Sequence, residues 1–184
     1  MRIIGGRWKG RNIVPPKNLR ARPTTDFAKE NLFNILSNTY DFSQMDILDL
    51  FAGTGSISME FLSRGAQSVT SVEINAVHHA FITSTGRLLE AKNLYPVKAN
   101  AFLYLKSTKK RFDLIFSDAP YDLEGSDSII DIVFEKEILN EDGILIFEHS
   151  DRYDFSKHKN FLKLRKYGSV HFSFFQKDAA THED

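Results

Sequence analysis

The chain of 184 residues has no cysteine. That excludes disulfides and thiolate metal sites, and it fits a reducing compartment such as the cytoplasm. It has no apolar run of the 18 or so residues that a membrane span needs, so no membrane partner is expected. Its start, Met1-Arg2-Ile3-Ile4-Gly5-Gly6, lacks the apolar stretch of a secretory signal. The histidines have no metal-ligand spacing with acidic partners, so no metal site is expected. No Ser-His-Asp arrangement is defensible from spacing. The first 25 residues contain no acidic residue at all.

That last absence gives a charge asymmetry. Arg2, Arg7, Lys9, Arg11, Lys17, Arg20 and Arg22 hold seven of the 24 basic residues, which leaves 17 against 24 acidic in the remainder. A basic arm on an acidic body suits a nucleic-acid partner, although a solvated terminus would show the same charges. Around Gly5-Gly6-Arg7-Trp8-Lys9-Gly10, two β-like segments predict a small hairpin. There Trp8 can stack on a base or simply pack. Arg2, Arg7, Trp8, Lys9, Arg11, Arg20 and Arg22 are therefore the candidate RNA contacts.

With 42% hydrophobic and 26% charged residues, the composition is that of a soluble globular protein. The length suits one domain, an arm at 1–23 and an α/β body at 24–184. Thr25 or Asp26 caps a first helix, with Ala28, Leu32, Ile35 and Leu36 as its apolar stripe. From residue 46 the pattern alternates between strand and helix. Strands are expected at 47–51, 69–73, 94–99, 112–117 and 143–148. Helices end near Arg64 and Ala91, the latter capped by Asn75 with a stripe of Val77, Phe81 and Leu88. Ser126 or Asp127 opens another. Residues 161–176 read as two antiparallel strands around Tyr167-Gly168. The expected fold is a doubly wound, mostly parallel seven-stranded sheet with a C-terminal antiparallel hairpin.

Two stretches carry chemistry. Asp49-Leu50-Phe51-Ala52-Gly53-Thr54-Gly55 sits at the first strand-to-helix turn, where glycines let a ligand approach the backbone. Glu73 ends the next strand, where a carboxylate can accept ribose hydroxyls. Ser58 stands where a dinucleotide fingerprint has its third small residue. Asp49 suits the ammonium of S-adenosylmethionine and disfavours a phosphate. No Lys follows the glycines, so a P-loop is excluded. The second stretch is Asp118-Ala119-Pro120-Tyr121, a buried strand ending in a carboxylate, a rigid proline and an aromatic. A polar turn is the bland reading; a site for a flat polar substrate, a nucleobase above all, is the sharper one. A nicotinamide oxidoreductase needs only the loop and Glu73 and leaves this motif unexplained.

These residues resemble class I methyltransferases that act on amines. The N-terminal pattern, with Arg22-Pro23-Thr24-Thr25-Asp26 and Leu32-Phe33-Asn34-Ile35-Leu36, resembles the RsmD family over nearly the whole chain. That family methylates the exocyclic N2 of a guanine in bacterial 16S ribosomal RNA. The resemblance implies S-adenosylmethionine as cofactor, S-adenosylhomocysteine as product, and RNA or an assembling small subunit as partner. Oligomeric state stays open, a monomer being compatible. Asp49, Gly53 and Gly55 would line the methionine side, Glu73 would take the ribose, Asn100 and Ala101 would flank the adenine, and Phe51, Ala52 and Ile74 would be further cofactor contacts. Asp118, Ala119, Pro120 and Tyr121 would hold the base. The chain departs from the family in Ala119, which replaces a proline, and in Asn100, where many relatives have Asp. An N6-adenine methyltransferase shares the loop and a similar motif and remains the alternative.

Overall fold

A computed structural model describes residues 1–16, 19 and 25–177. Seven strands form one sheet: β1 (Asp46–Leu50), β2 (Ser68–Glu73), β3 (Leu94–Lys98), β4 (Phe112–Ser117), β5 (Leu139–His149), β6 (Phe161–Tyr167) and β7 (Val170–Gln176). Their order is β3-β2-β1-β4-β5-β7-β6. The first five are parallel, and β7 inserts antiparallel between β5 and β6. Among the described residues, α1 (Asp26–Thr39) precedes β1, and α2 (Ser56–Ser63), α3 (Ala76–Leu88), α4 (Ala101–Ser107) and α5 (Ser128–Glu135) connect the parallel strands. No helix among the described residues is long and apolar enough to cross a membrane.

Alternation along the strands divides the core in two. Ile47, Val69, Leu114, Phe116 and Ile146 meet Leu32, Phe33, Phe61 and Ile82 of α1, α2 and α3. Leu48, Leu50, Ile115, Leu145 and Phe147 meet Leu105, Ile129 and Val133 of α4 and α5. The central strands β4 and β5, buried on both faces, read as apolar runs at residues 114–116 and 144–147, which makes them visible in the sequence.

The caps follow expectation where a side chain can do the work. Thr25 accepts from Ala28 N at 3.1 Å, and Asn75 accepts from the amides of Val77 and His78. The α5 cap differs: Asp127 precedes that helix in a helical conformation and makes no side-chain cap bond. The stripe expected for α3 also differs. Val77 and Leu88 are exposed, and the buried positions are Ile82, Thr85, Gly86 and, just past the helix, Leu89. The reason is close packing at Gly86, where a Cβ would lie 2.6 Å from Leu94 Cδ2 on β3. Helix α4, seven residues long, is too short to show a period in the sequence.

The N-terminal segment takes the antiparallel course expected of it: Ile13 N donates to Met1 O, Ile3 N to Arg11 O and Gly10 N to Ile3 O, with a bridge from Arg2 to Asn12 around a 3-10 turn at Gly6–Trp8. It is clasped against α1 and α2. Glu60, fully buried in α2, accepts from Ile4 N at 2.9 Å and Gly5 N at 2.8 Å. Buried Lys29 of α1 donates to Arg2 O at 2.6 Å and lies 3.9 Å from the Glu60 carboxylate. Ser63 donates to Gly5 O and accepts from Trp8 N. Trp8 itself is only 8% exposed, in the same core as Ile3 and Ile13. Its ring is therefore not available to stack on a base, and the packing reading of Trp8 is the right one.

Gly6 is the point of closest approach. Its φ is +72°, and a Cβ would fall 1.9 Å from Ser63 O. Gly6→Ala should therefore cost about 2–4 kcal/mol, combining left-handed strain with overlap against backbone. The chain has one tryptophan, so the red shift of Trp8 emission as the arm lifts off gives a direct readout beside urea unfolding.

Candidate functional site

The strand order reverses between β1 and β4: β2 and β3 continue to one side of β1, and β4 lies on the other. The carboxyl ends of two strands whose connections run to opposite sides leave a crevice, which is where open α/β sheets bind ligands. Both chemical stretches flank it. The register pairs Leu50 with Ser117 and Ser117 with Phe147, so Asp118 emerges at the carboxyl edge between β1 and β5.

The glycine loop turns sharply after Leu50. Phe51, Gly53 and Gly55 all have positive φ (57°, 56° and 74°). For Phe51 this is a strained conformation of the kind that clusters at ligand sites. Phe102 of α4 meets the Phe51 ring edge to face at 6.3 Å. Gly55 caps α2, and a Cβ on it would press on Ile82 at 3.0 Å.

Asp49 is 1% exposed, and its Oδ2 accepts from both Ser58 N (3.1 Å) and Ser58 Oγ, which in turn meets Ser71 Oγ at 2.6 Å. Burial pushes its carboxyl up to about 7; the Ser58 bonds oppose this, and the charges of Asp118 and Glu73 add to it. Glu73 reaches back across the loop. One oxygen accepts from Gly53 N at 2.8 Å, the other from Asn75 N at 2.7 Å, and His78 Nδ1 lies 4.0 Å away. Ile74 beside it is 62% exposed, an aliphatic surface at the rim. Asn100 caps α4 by accepting from Leu103 N at 3.1 Å, and Ala101 is buried.

Asp118 is partly exposed, Ala119 is buried, Pro120 is exposed and Tyr121 is partly exposed. Tyr121 Oη lies 3.5 Å from Glu148 Oε1, and Glu148 is the buried penultimate residue of β5. His149 next to it is buried and bonds Ser173 Oγ and Ser150 O, so it serves packing between β5 and β7. A separate cleft of about 700 Å³, lined by Arg111, Phe134, Asn140, Lys159 and Asn160, opens at the amino end of β5. It is at the wrong end of the sheet for any of the motif residues, and the switch-point crevice is the better candidate on topology.

Of the basic candidates, Arg2 pairs with Asp26 at 3.3 Å and Arg7 stacks over Trp8 at 4.1 Å. Lys9 and Arg11 are exposed. Arg20 and Arg22 lie outside the described residues.

The family model described as conserved hypothetical protein 95 matches residues 1–176. The chain belongs to this family. Ribosomal RNA small subunit methyltransferase D of Escherichia coli (strain K12) is 36% identical over 121 residues, 66% of this chain and 60% of that one. The protein of the same name from Buchnera aphidicola subsp. Baizongia pistaciae is 31% identical over 153 residues, 82% of this chain and 76% of that one. The solved structure of yhhF from Escherichia coli superimposes with a TM-score of 0.84 at 27% identity, covering 97% of this chain and 98% of the other. The nicotinamide reading has no counterpart among these proteins.

For this member of the family, the residues present fit S-adenosylmethionine. The loop turns through positive φ at Phe51, Gly53 and Gly55 and bares its backbone to the crevice. A buried carboxylate stands at each end of it, Asp49 and Glu73. Three neighbours of the site carry no motif of their own in the sequence. Ser71 and Glu148 fall near the carboxyl ends of β2 and β5, and His78, on α3, comes within 4.0 Å of Glu73.

Proposed function

We propose that this protein transfers a methyl group from S-adenosylmethionine to the exocyclic N2 amine of a guanine in small-subunit (16S) ribosomal RNA. The observation that carries the reading is the placement of Asp118 and the Asp49 loop on the two sides of the switch-point crevice. The names of the two relatives point to ribosomal RNA as the substrate class.

When bound, S-adenosylmethionine supplies an electrophilic methyl on a sulfonium. The amine of guanine is a poor nucleophile, because its lone pair is conjugated into the ring. Asp118 and the backbone carbonyl of Ala119 accept its two N–H groups and turn the lone pair toward the methyl. Alignment of this kind is worth on the order of 7–11 kcal/mol. As the new N–C bond forms and the C–S bond breaks, the amine becomes cationic, and Asp118 is placed to receive the proton it sheds. Tyr121 offers a face for the base, a contact worth roughly 1–3 kcal/mol. Pro120 biases Ala119 toward extended backbone, so the carbonyl keeps its direction without the usual proline ring.

The elevated proton affinity of Asp49 makes the cofactor step pH-dependent. Its folded pKa, about 7, lies above the ordinary 3.8. The free protein therefore holds a proton there below pH 7, and its stability falls as pH rises from about 4 to about 7. An ammonium ligand needs the ionised form. Cofactor affinity should rise about fivefold from pH 6 to pH 7 and then flatten, with close to one proton released at pH 6. Calorimetry in buffers of different ionisation heat measures the release. In Asp49→Asn both the pH dependence and the proton release should vanish; a proton release that survives this substitution refutes the assignment.

The test of the reaction is to incubate the protein with labelled cofactor and ribosomal particles that lack the modification, then map the labelled base. Label on guanine N2 of the small-subunit RNA is expected. Label on adenine N6 or on protein overturns the reading.

A further inference from the structure

We propose that the edge strand β6 and the first turn of α1 form a second RNA-contact surface, with Lys163 and Arg165 gripping phosphates and Phe27 stacking on a base. The proposal rests on the ribosomal-RNA reading above and extends it to residues far from the N-terminal segment.

Strand direction places the surface. β7 runs antiparallel to β5, and β6 antiparallel to β7, so β6 runs parallel to β5. Its last residue, Tyr167, therefore lies at the same end of the sheet as Asp118. Register then sets the face. Lys163, Arg165 and Tyr167 pair with Phe174, Phe172 and Val170, which belong to the core beneath α1. Lys163 Nζ rests over the Phe174 ring at 5.0 Å. Among the described residues, no carboxylate lies within ion-pair distance of Lys163 or Arg165, and Arg165 is exposed. Burial lowers the Lys163 pKa, and the neighbouring Arg165 charge lowers it further.

The aromatic completes the surface. Phe27 is 65% exposed, at the start of α1, with its ring edge to face with Tyr167 at 6.3 Å. The residue before it, Asp26, holds Arg2. Cations and an exposed ring thus run from the N-terminal segment, past the start of α1, to β6. Lysines on an edge strand also discourage strand-to-strand association, but that role needs no solvent-facing Phe beside them. Phosphate-binding cations next to a sequence-tolerant stacking face are what single-stranded RNA requires.

The test compares Lys163→Ala/Arg165→Ala, Phe27→Ala and a control, Lys106→Ala/Lys109→Ala, whose lysines lie on and just after α4 on the other face. The double variant should raise KM for the RNA substrate about tenfold, and the slope of log affinity against log salt should shrink by about 1.4, two phosphate contacts' worth. Its kcat and cofactor affinity should not change. Phe27→Ala should raise KM several-fold with the salt slope unaltered. The control should match the wild type. A double variant with wild-type KM and salt slope, in a protein that does methylate ribosomal RNA, overturns this surface alone. A wild type that binds the cofactor and transfers nothing to ribosomal RNA, naked or in subunits, overturns the functional reading and the surface with it.

Discussion

Asp118→Ala should abolish methyl transfer, with a loss of at least about 10³-fold in kcat, while cofactor affinity stays within a few-fold of wild type. The magnitude follows from the two tasks assigned to one carboxylate. Removing a general base costs about 10²–10⁴-fold, and loss of alignment adds to that. Asp118→Asn separates the tasks. It keeps an acceptor for the amine and gives up the base, so it should retain more activity than the alanine variant. Asp118 also raises the proton affinity of Asp49 through its charge. Both variants should therefore move the cofactor-binding pH profile slightly to lower pH, a readout independent of turnover. Single-turnover kinetics with saturating cofactor measure the first effect and calorimetry the second. Robust turnover by Asp118→Ala would refute the assignment of the whole motif.

The second large effect concerns stability. Glu60→Ala should cost about 3–5 kcal/mol, because it strands the buried Lys29 charge. It also leaves the amides of Ile4 and Gly5 without their acceptor. A loss of that size is a large part of the 5–15 kcal/mol that holds a typical domain folded. A second variant distinguishes charge from latch. Lys29→Met/Glu60→Leu removes both charges and fills their volume, which by itself is often neutral or better. It should recover part of the lost stability, yet Trp8 emission should still report a lifted arm. If the double variant restores both stability and wild-type emission, Glu60 is not what holds the N-terminal segment.

These two residues also show what was legible in the sequence. The position of Asp118 could be read because its neighbours announce a strand end: an apolar run, then Asp-Ala-Pro-Tyr, and the register puts it at the carboxyl edge of β4. The glycine loop and Glu73 were equally local, each at the end of a β-rich run. Glu60 and Lys29 could not be read. Each sits among the polar positions of an amphipathic helix, and only the approach of residues 2–5, more than fifty positions from Glu60, turns them into a buried pair. Trp8 misled for the same reason: flanking cations suggested a surface, and tertiary packing decided otherwise. The stripe of α3 failed because the helix packs through Thr85 and Gly86, which no hydrophobic count selects. The opposite case is β6–β7, where the short Tyr167-Gly168 turn fixed an antiparallel pair without any tertiary information.

The insertion of β7 between β5 and β6 has a consequence for how the protein is made. Synthesis delivers β7 after every other strand, yet its place is inside the sheet, not at an edge. Until it arrives, the flank of β5 from Ile144 to Phe147 presents unpaired backbone between apolar side chains, the kind of edge that recruits other chains. The nascent protein can assemble its cofactor crevice from β1 to β4 well before the sheet is closed. A chain stopped before residue 170 should accordingly carry the whole reactive motif and still aggregate, since what it lacks is the strand that seals β5.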